Sequence, residues 1–453
     1  MSLFNWSAND EKKSNKRPQQ VPVVSITDDQ PCNPYTEVQV LSAHTDIVQH
    51  LLKIDDNRCV SAADDNTAII WDIQTGKKLA TLAFHSRPIT SMLVIQSEHV
   101  QNEYLTEKVL LTGSSDKTIA FWDLENGQLL HTVNEHNSTV KCLVTWEDCH
   151  IFCSAGKDLC VFSHHGILIT KFSRQDEDAD IQCLLPIKNN RVVVAFQSVL
   201  AVYKLILSDE EEVLRVEHWK TLPSSLQHRE AIRCLIKISD VSFASGSLDG
   251  TIMVWTSHGL NPSREFNFIK KYKGDHHAYP FSVQHMVAIE ERYILAAIGS
   301  GFCLYDVIKE TCLAQSINSH YSKILHINFV YNGMFVATCS LDGTIRLWGS
   351  RPINDEVTGN SKSVLSKFMG SSAPNSHDGR SRRRSGDVSV FHPVLLGECY
   401  GHSGAVNAFV DFGYDGLVSC GTDQLLLLWK DGEIQSSKRN DIIRQMLRWN
   451  VMQ

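Results

Sequence analysis

Residues Ser245–Trp255 read SGSLDGTIMVW: a short run of small and apolar residues, an Asp-Gly turn, and an apolar run closed by tryptophan. The same phrase stands at Ser61–Trp71, Thr112–Trp122, Thr338–Trp348 and Ser419–Trp429. Each copy ends on tryptophan: Trp71, Trp122, Trp255, Trp348 and Trp429. Each carries Asp six residues earlier (Asp65, Asp116, Asp249, Asp342, Asp423) and Ser or Thr ten residues earlier (Ser61, Thr112, Ser245, Thr338, Ser419). A histidine precedes each: His44, His85, His228, His320 and His402. The His-to-Trp separation is 27 in three copies, 28 in a fourth and 37 in the second, where the polar insert Ser97–Lys108 lengthens one loop. Two apolar runs about an Asp-Gly or Asp-Lys turn read as a β-hairpin. At these offsets Asp can accept from the turn backbone and from His, His can reach the hydroxyl, and the hydroxyl can meet the indole N–H. Such a chain satisfies buried polar groups that would each cost about 1–3 kcal/mol if left unpaired.

The pattern resembles the WD repeat, the four-stranded blade unit of a β-propeller. The dipeptide itself survives at Trp71-Asp72 and Trp122-Asp123. The intervals between tryptophans then expose worn copies. Trp122 and Trp255 are 133 residues apart, which leaves room for two units. One ends at Phe162, with His136, Ser154 and Asp158 retained; the other ends at Tyr203, after Arg191–Phe196 and Val199–Val202, with no polar set. The 93 residues from Trp255 to Trp348 hold one more, Tyr305-Asp306 after Tyr293–Ile298. The count is eight. The expected fold is all-β: an eight-bladed WD-repeat β-propeller over 35–350 and 394–430, with a short C-terminal α-helix over 440–453. A length of 453 residues would otherwise suggest two to four domains, but a repeat of about 45 residues is the better divisor. The last repeat stops at its third strand, Leu425–Trp429, and Tyr35–Leu41 alternates as a strand without a blade of its own. It is expected to supply the missing outer strand, because an open ring would leave edges free to pair with other chains.

Three segments fall outside the blades. Residues 1–34 are polar, without periodic apolar positions, and are expected to be disordered. Residues 351–393 form an insertion of about forty residues between the third and fourth strands of the seventh blade, too long for a compact hairpin loop, and are expected to be disordered. It carries the basic run Arg380-Ser381-Arg382-Arg383-Arg384-Ser385, with Ser385 as a candidate kinase site, and an apolar cluster of Val364, Leu365, Phe368 and Met369. After Asn440, Ile443, Leu447 and Val451 recur at four-residue spacing, and Ile442, Met446 and Trp449 widen the stripe. A helix of about twelve residues is marginal alone, so that stripe must pack on the propeller rim or on a partner.

Composition removes several classes. With 43 basic and 51 acidic residues the net charge is −8, which argues against nucleic acid as the main partner. No apolar run approaches the roughly 20 residues that span a bilayer. The polar N-terminus has no secretory signal, and Ser2 replaces the glycine that myristoylation needs. The thirteen cysteines are scattered and mostly sit in apolar runs, which suits free thiols in a reducing cytosol or nucleus. The Ser, His and Asp residues recur at repeat offsets, whereas a catalytic triad occurs once, so no residue is assigned catalysis. Cys142, Cys149, Cys153 and Cys160, near His150 and His164-His165, lack a C-x-x-C knuckle and do not read as zinc ligands. The acidic runs Asp176–Asp180 and Asp209–Glu212 lack the alternation and Gly turn of a calcium loop. No cofactor is expected.

A fold of this kind does not fix function. Specific segments carry the resemblance further: Asn33-Pro34-Tyr35-Thr36-Glu37 and Ala43–Val48 in the first repeat, Thr139–Leu143 and Asp158–Val161 in the third, and Gly401-His402-Ser403, Gly416-Leu417-Val418 and Leu428–Glu433 in the eighth. Together these resemble the family of WD repeat-containing protein 41. The resemblance implies a non-catalytic propeller subunit in a heteromeric complex with two DENN-domain proteins. It implies a role in autophagy, lysosome function and Rab and Arf GTPase control, as part of a guanine nucleotide exchange factor complex. It also implies a cytoplasmic protein recruited to the lysosomal surface through a cationic amino-acid transporter. In the family a DENN partner docks where the N-terminal strand, last blade and C-terminal helix meet. Those positions map here onto Tyr35–Leu41 (with Tyr35, Val38 and Val40), Gly416–Trp429, and Ile442–Val451. The lysosomal contact maps onto the blade-seven loop, where Phe368-Met369-Gly370 stands in place of an aromatic-rich stretch. The rival reading is a substrate receptor of a cullin-type ubiquitin ligase. Such propellers often carry Arg two residues after the Trp-Asp pair, and here those positions are Gln74 and Glu125.

Overall fold

Each repeat phrase folds into the second and third strands of one sheet. In blade five these are Ser242–Ser247 and Thr251–Thr256, joined by a turn in which Gly250 has φ +78°. The same left-handed position is held by Asn66, Lys117 and Gln424 in three other blades. Asn tolerates it, whereas Lys and Gln pay a steric penalty there that glycine would not. The computed structural model describes residues 33–98, 106–146, 151–173, 179–207, 214–259, 261–267, 281–349 and 390–451, and these form eight four-stranded sheets. Blades one to seven span 48–83, 89–133, 142–173, 183–221, 232–267, 283–316 and 324–400. Blade eight spans 406–431 and takes its outer strand from Tyr35–Leu41, which lies antiparallel to Leu426–Asp431 with Val38 opposite Trp429 and Val40 opposite Leu427.

The core is divided among the seams. One buried apolar cluster lies at each blade–blade junction, eight in all. The seam that joins the chain ends packs Val418, Leu426 and Leu428 of blade eight and Leu41 of the closing strand on Val48, Ile69 and Trp71 of blade one. Asn407 Nδ2 donates across this seam to the Val48 carbonyl at 2.9 Å. Pairing and burial therefore both make the ring continuous.

Four boundaries differ from those read in the sequence. The C-terminal helix, expected over 440–453, runs Gly432–Val451. It starts early because Asp431, the last strand residue, is also the helix cap: its Oδ1 accepts from the backbone N–H groups of Glu433 (3.0 Å) and Ile434 (3.1 Å). At the other end of the chain, Asn33 already belongs to the structure, its side chain donating to the Glu398 carbonyl at 3.0 Å. The blade-seven insertion ends before residue 393, because Phe391 exchanges backbone hydrogen bonds with the outer strand of blade six, donating to Leu313 at 2.8 Å and accepting from Gln315 at 3.0 Å. Finally, part of the Ser97–Lys108 insert is strand rather than loop, since blade two's first two strands are Ile89–Glu98 and Thr106–Ser114.

Candidate interaction site

The five polar sets are assembled as hydrogen-bonded chains. In blade one, Trp71 Nε1 donates to Ser61 Oγ (2.8 Å), which meets His44 Nε2 (2.8 Å), while His44 Nδ1 meets Asp65 Oδ2 (2.8 Å). Blade two repeats this through Trp122, Thr112, His85 and Asp116; blade seven through Trp348, Thr338, His320 and Asp342; blade eight through Trp429, Ser419, His402 and Asp423. The indole N–H occupies one lone pair of the hydroxyl oxygen, so the hydroxyl proton is free for Nε2, and Nδ1–H faces the carboxylate. This arrangement needs a neutral imidazole. Burial depresses the pKa of His44, His320 and His402, and their Asp partners only partly offset it. Burial alone would raise the Asp65 carboxyl, but hydrogen bonds from Thr45, Thr67 and His44 outweigh it and hold Asp65 below the ordinary range.

Two blades modify the chain. In blade five Asp249 stands 3.7 Å from His228 Nδ1, and Thr251 Oγ1 takes the 2.8 Å contact instead; His228 Nε2 still meets Ser245 Oγ, to which Trp255 donates. In blade three His136 Nε2 meets Ser154 Oγ at 2.5 Å, but Asp158 faces Asn137 and Lys171 and leaves His136 Nδ1 without a partner. These residues lie inside the blades and bind the sheets together; they do not converge on a pocket. Cys142, Cys153 and Cys160 form no disulfide and lie on the first, second and third strands of blade three, and burial pushes the Cys160 thiol up to about 12. Cys149 and His150 lie outside the described residues.

The exposed apolar surface lies elsewhere. On the closing strand Tyr35 and Leu41 are buried, whereas Val38 is 44% and Val40 56% exposed. The helix leaves the blade beside them without a linker. Its first two turns are fastened by Gly432 N donating to Thr36 Oγ1 (3.1 Å), Lys438 to Asp415 (2.9 Å) and Arg439 to Glu37 (3.0 Å). These ion pairs are half-exposed, each contributing about 0.2–1 kcal/mol. From Arg439 through Gln445 every residue is exposed, Ile442 at 51% and Ile443 at 53%. At about 1.5 Å per residue, the twelve residues from Asn440 to Val451 extend roughly 18 Å past the last fastening. The side chains of Met446, Leu447, Trp449 and Val451 lie outside the described residues, as do Val364, Leu365, Phe368, Met369 and Ser385 of the blade-seven loop. Among the described residues no helix is long and apolar enough to cross a membrane.

Sequence reasoning missed the fastening residues Glu37, Asp415, Asp431, Lys438 and Arg439, and Tyr331, whose hydroxyl donates to Asp431 Oδ2 at 2.6 Å. Only Asp431 had a local signal, an acidic residue followed by Gly-Glu-Ile, which is an N-cap pattern.

The comparisons agree with this architecture. The WDR41 β-propeller family model matches residues 5–439. Human WD repeat-containing protein 41 is 30% identical over 442 residues, covering 95% of this chain and 94% of its own length. The mouse protein of that name is 31% identical over 439 residues, with 94% of each covered. Among solved structures, the computationally designed Ika8 protein superposes with a TM-score of 0.60 over 86% of this chain and 98% of its own, at 21% identity, which bears on the fold alone. An eight-bladed ring with this repeat grammar, matched over 95% of its length, means that the chain belongs to the WDR41 family of WD-repeat β-propeller proteins.

Proposed function

We propose that this protein is a non-catalytic adaptor subunit of a complex with two DENN-domain proteins, acting in autophagy, lysosome function and Rab or Arf GTPase control. The propeller is the rigid frame. The closing strand and the C-terminal helix face one DENN partner, and the blade-seven insertion mediates recruitment to a lysosomal amino-acid transporter. The supporting observation is the helix itself: it is fastened for two turns and then exposed, with Ile442 and Ile443 uncovered, as Val38 and Val40 are on the closing strand. A helix that carries exposed apolar side chains past its last tie to the propeller is the form of element that lies in a partner's groove. The five Ser/Thr-His-Asp sets are occupied holding Trp N–H groups inside the blades, so the adaptor reading needs no chemistry from them.

The test is co-purification of the DENN-domain partner with a chain ending at Arg439, which keeps both ion pairs and removes the exposed stripe. Loss of the partner with an unchanged unfolding midpoint is expected. Undiminished recovery would refute the docking site. Deletion of 351–389 should separately abolish lysosomal recruitment and leave DENN binding intact; retained recruitment would move that contact elsewhere.

A further inference from the structure

We infer that Tyr331, a blade-seven residue, sets the direction in which the C-terminal helix projects and so acts as a positioning residue for docking. The inference rests on the docking role proposed above, but its geometry is independent of it. Asp431 faces two ways. Its Oδ1 caps the helix by accepting from Glu433 and Ile434, and its Oδ2 accepts the Tyr331 hydroxyl at 2.6 Å. One half-turn of helix is thereby tied to a side chain 100 residues away in another blade.

Tyr331 is itself held from three sides. It stands in the turn after the first strand of blade seven, with φ +56°, an uncommon conformation for a bulky residue. Its N–H donates to Asp411 Oδ1 of blade eight at 3.0 Å. Its ring meets Tyr414 of blade eight edge-on at 4.9 Å and Tyr35 of the closing strand edge-on at 6.0 Å, and packs on Phe335 at 5.7 Å. A hydroxyl so fixed is a rigid donor. The bond to Asp431 is short, accepted by a carboxylate and part-buried, so it is stronger than the half-exposed Lys438 and Arg439 ion pairs farther along the helix. Of the other fastenings, the Gly432–Thr36 bond lies at the helix's first residue beside the cap, and the Lys438 and Arg439 pairs sit on flexible side chains that can swing with the helix. The capped end cannot, because Asp431 is also strand. Direction is therefore decided at the Tyr331–Asp431 bond, and a small change of angle there is magnified along the exposed length beyond Arg439.

The test uses the full chain with spin labels on unnatural amino acids placed at Arg444 of the helix and Leu79 of blade one. The native protein should give a narrow distance distribution. Tyr331→Phe, which keeps the ring and removes the hydroxyl, should broaden it at least about twofold with the unfolding midpoint nearly unchanged. Asp431→Asn, which keeps the Oδ1 cap and weakens the charged bond, should broaden it less. Affinity for the DENN-domain partner should fall about tenfold in Tyr331→Phe, because a preorganised element becomes a wandering one. An unchanged distribution overturns the inference whatever the partner does. A broadened distribution with unchanged affinity overturns the positioning role, provided the chain ending at Arg439 has lost the partner. If that shortened chain still binds, the docking reading has failed, and broadening by Tyr331→Phe would still support the bond's control of helix direction.

Discussion

Replacing Ser419 by alanine should destabilise the protein more than the loss of one hydroxyl suggests. Ser419 Oγ accepts from Trp429 Nε1 at 2.8 Å and meets His402 Nε2 at 2.8 Å, and both Ser419 and Trp429 are buried. The Ser419→Ala change leaves two buried groups without partners, each costing about 1–3 kcal/mol, so a loss of roughly 2–6 kcal/mol follows. The second change, Trp429→Phe, removes the orphaned N–H. Added to Ser419→Ala it should cost less than the two single changes summed, because the indole N–H is no longer left unpaired when the hydroxyl is removed. Blade three shows the geometry is admissible, for Phe162 occupies the Trp position there and stacks on Phe152 at 5.0 Å. The assay is equilibrium unfolding in urea, followed by tryptophan fluorescence for the single change and by far-ultraviolet circular dichroism for both. A loss below about 0.5 kcal/mol for Ser419→Ala, or a double change worse than additive, would refute the view that these polar chains bind the blades together.

Other outcomes follow from single features. Lys117→Gly should stabilise by about 1 kcal/mol, since Lys117 sits at φ +75° where glycine is unstrained; the urea midpoint reads it, and a fall in midpoint would contradict it. Gly416→Ala should cost more than about 2 kcal/mol, because φ is +128° and a methyl group would stand 2.4 Å from the Trp429 carbonyl oxygen. Stability should fall in acid. Burial depresses the pKa of His136 and His285 to about 4, so their neutral forms favour the fold, and that contribution is lost as pH drops from about 6.5 towards 4. Depressed carboxyls such as Asp65 and Asp116 act in the same direction at lower pH still. Thermal unfolding across pH 7 to 4 checks this, and a flat profile would exclude it. Ile442→Asp with Ile443→Asp should leave the unfolding midpoint unchanged and weaken DENN-partner binding at least about tenfold, as expected for anchors at the centre of an interface.

The sequence made the repeats legible because the hydrogen-bonded chain tolerates little variation: an indole N–H and a hydroxyl must sit at set offsets on adjacent strands, with an imidazole in the connection that precedes them. Blade four was visible only through the interval between Trp122 and Trp255, because its middle strands, Arg191–Phe196 and Val199–Leu207, replace the polar set with apolar packing and have no grammar to match. Blade six likewise places Tyr305 and the apolar strand Tyr293–Ile298 where the other blades carry the indole and hydroxyl. The helix start was misplaced for a local reason: Asn440-Asp441 imitates a cap, while the true cap, Asp431, reads as the end of a strand. Asn33 and Phe391 were assigned to disordered segments because their partners, Glu398, Leu313 and Gln315, are far away in sequence. The Tyr331–Asp431 bond was illegible for the same reason, as no local pattern joins a turn in blade seven to the last residue of blade eight.

The adaptor account is tested most directly by a cryo-electron microscopy structure of the full chain bound to its DENN-domain partner. The account predicts that Ile442, Ile443, Val38 and Val40 become buried against that partner, with the Tyr331–Asp431 bond intact. A partner seated on another face, with Ile442 and Ile443 still in solvent, would contradict it.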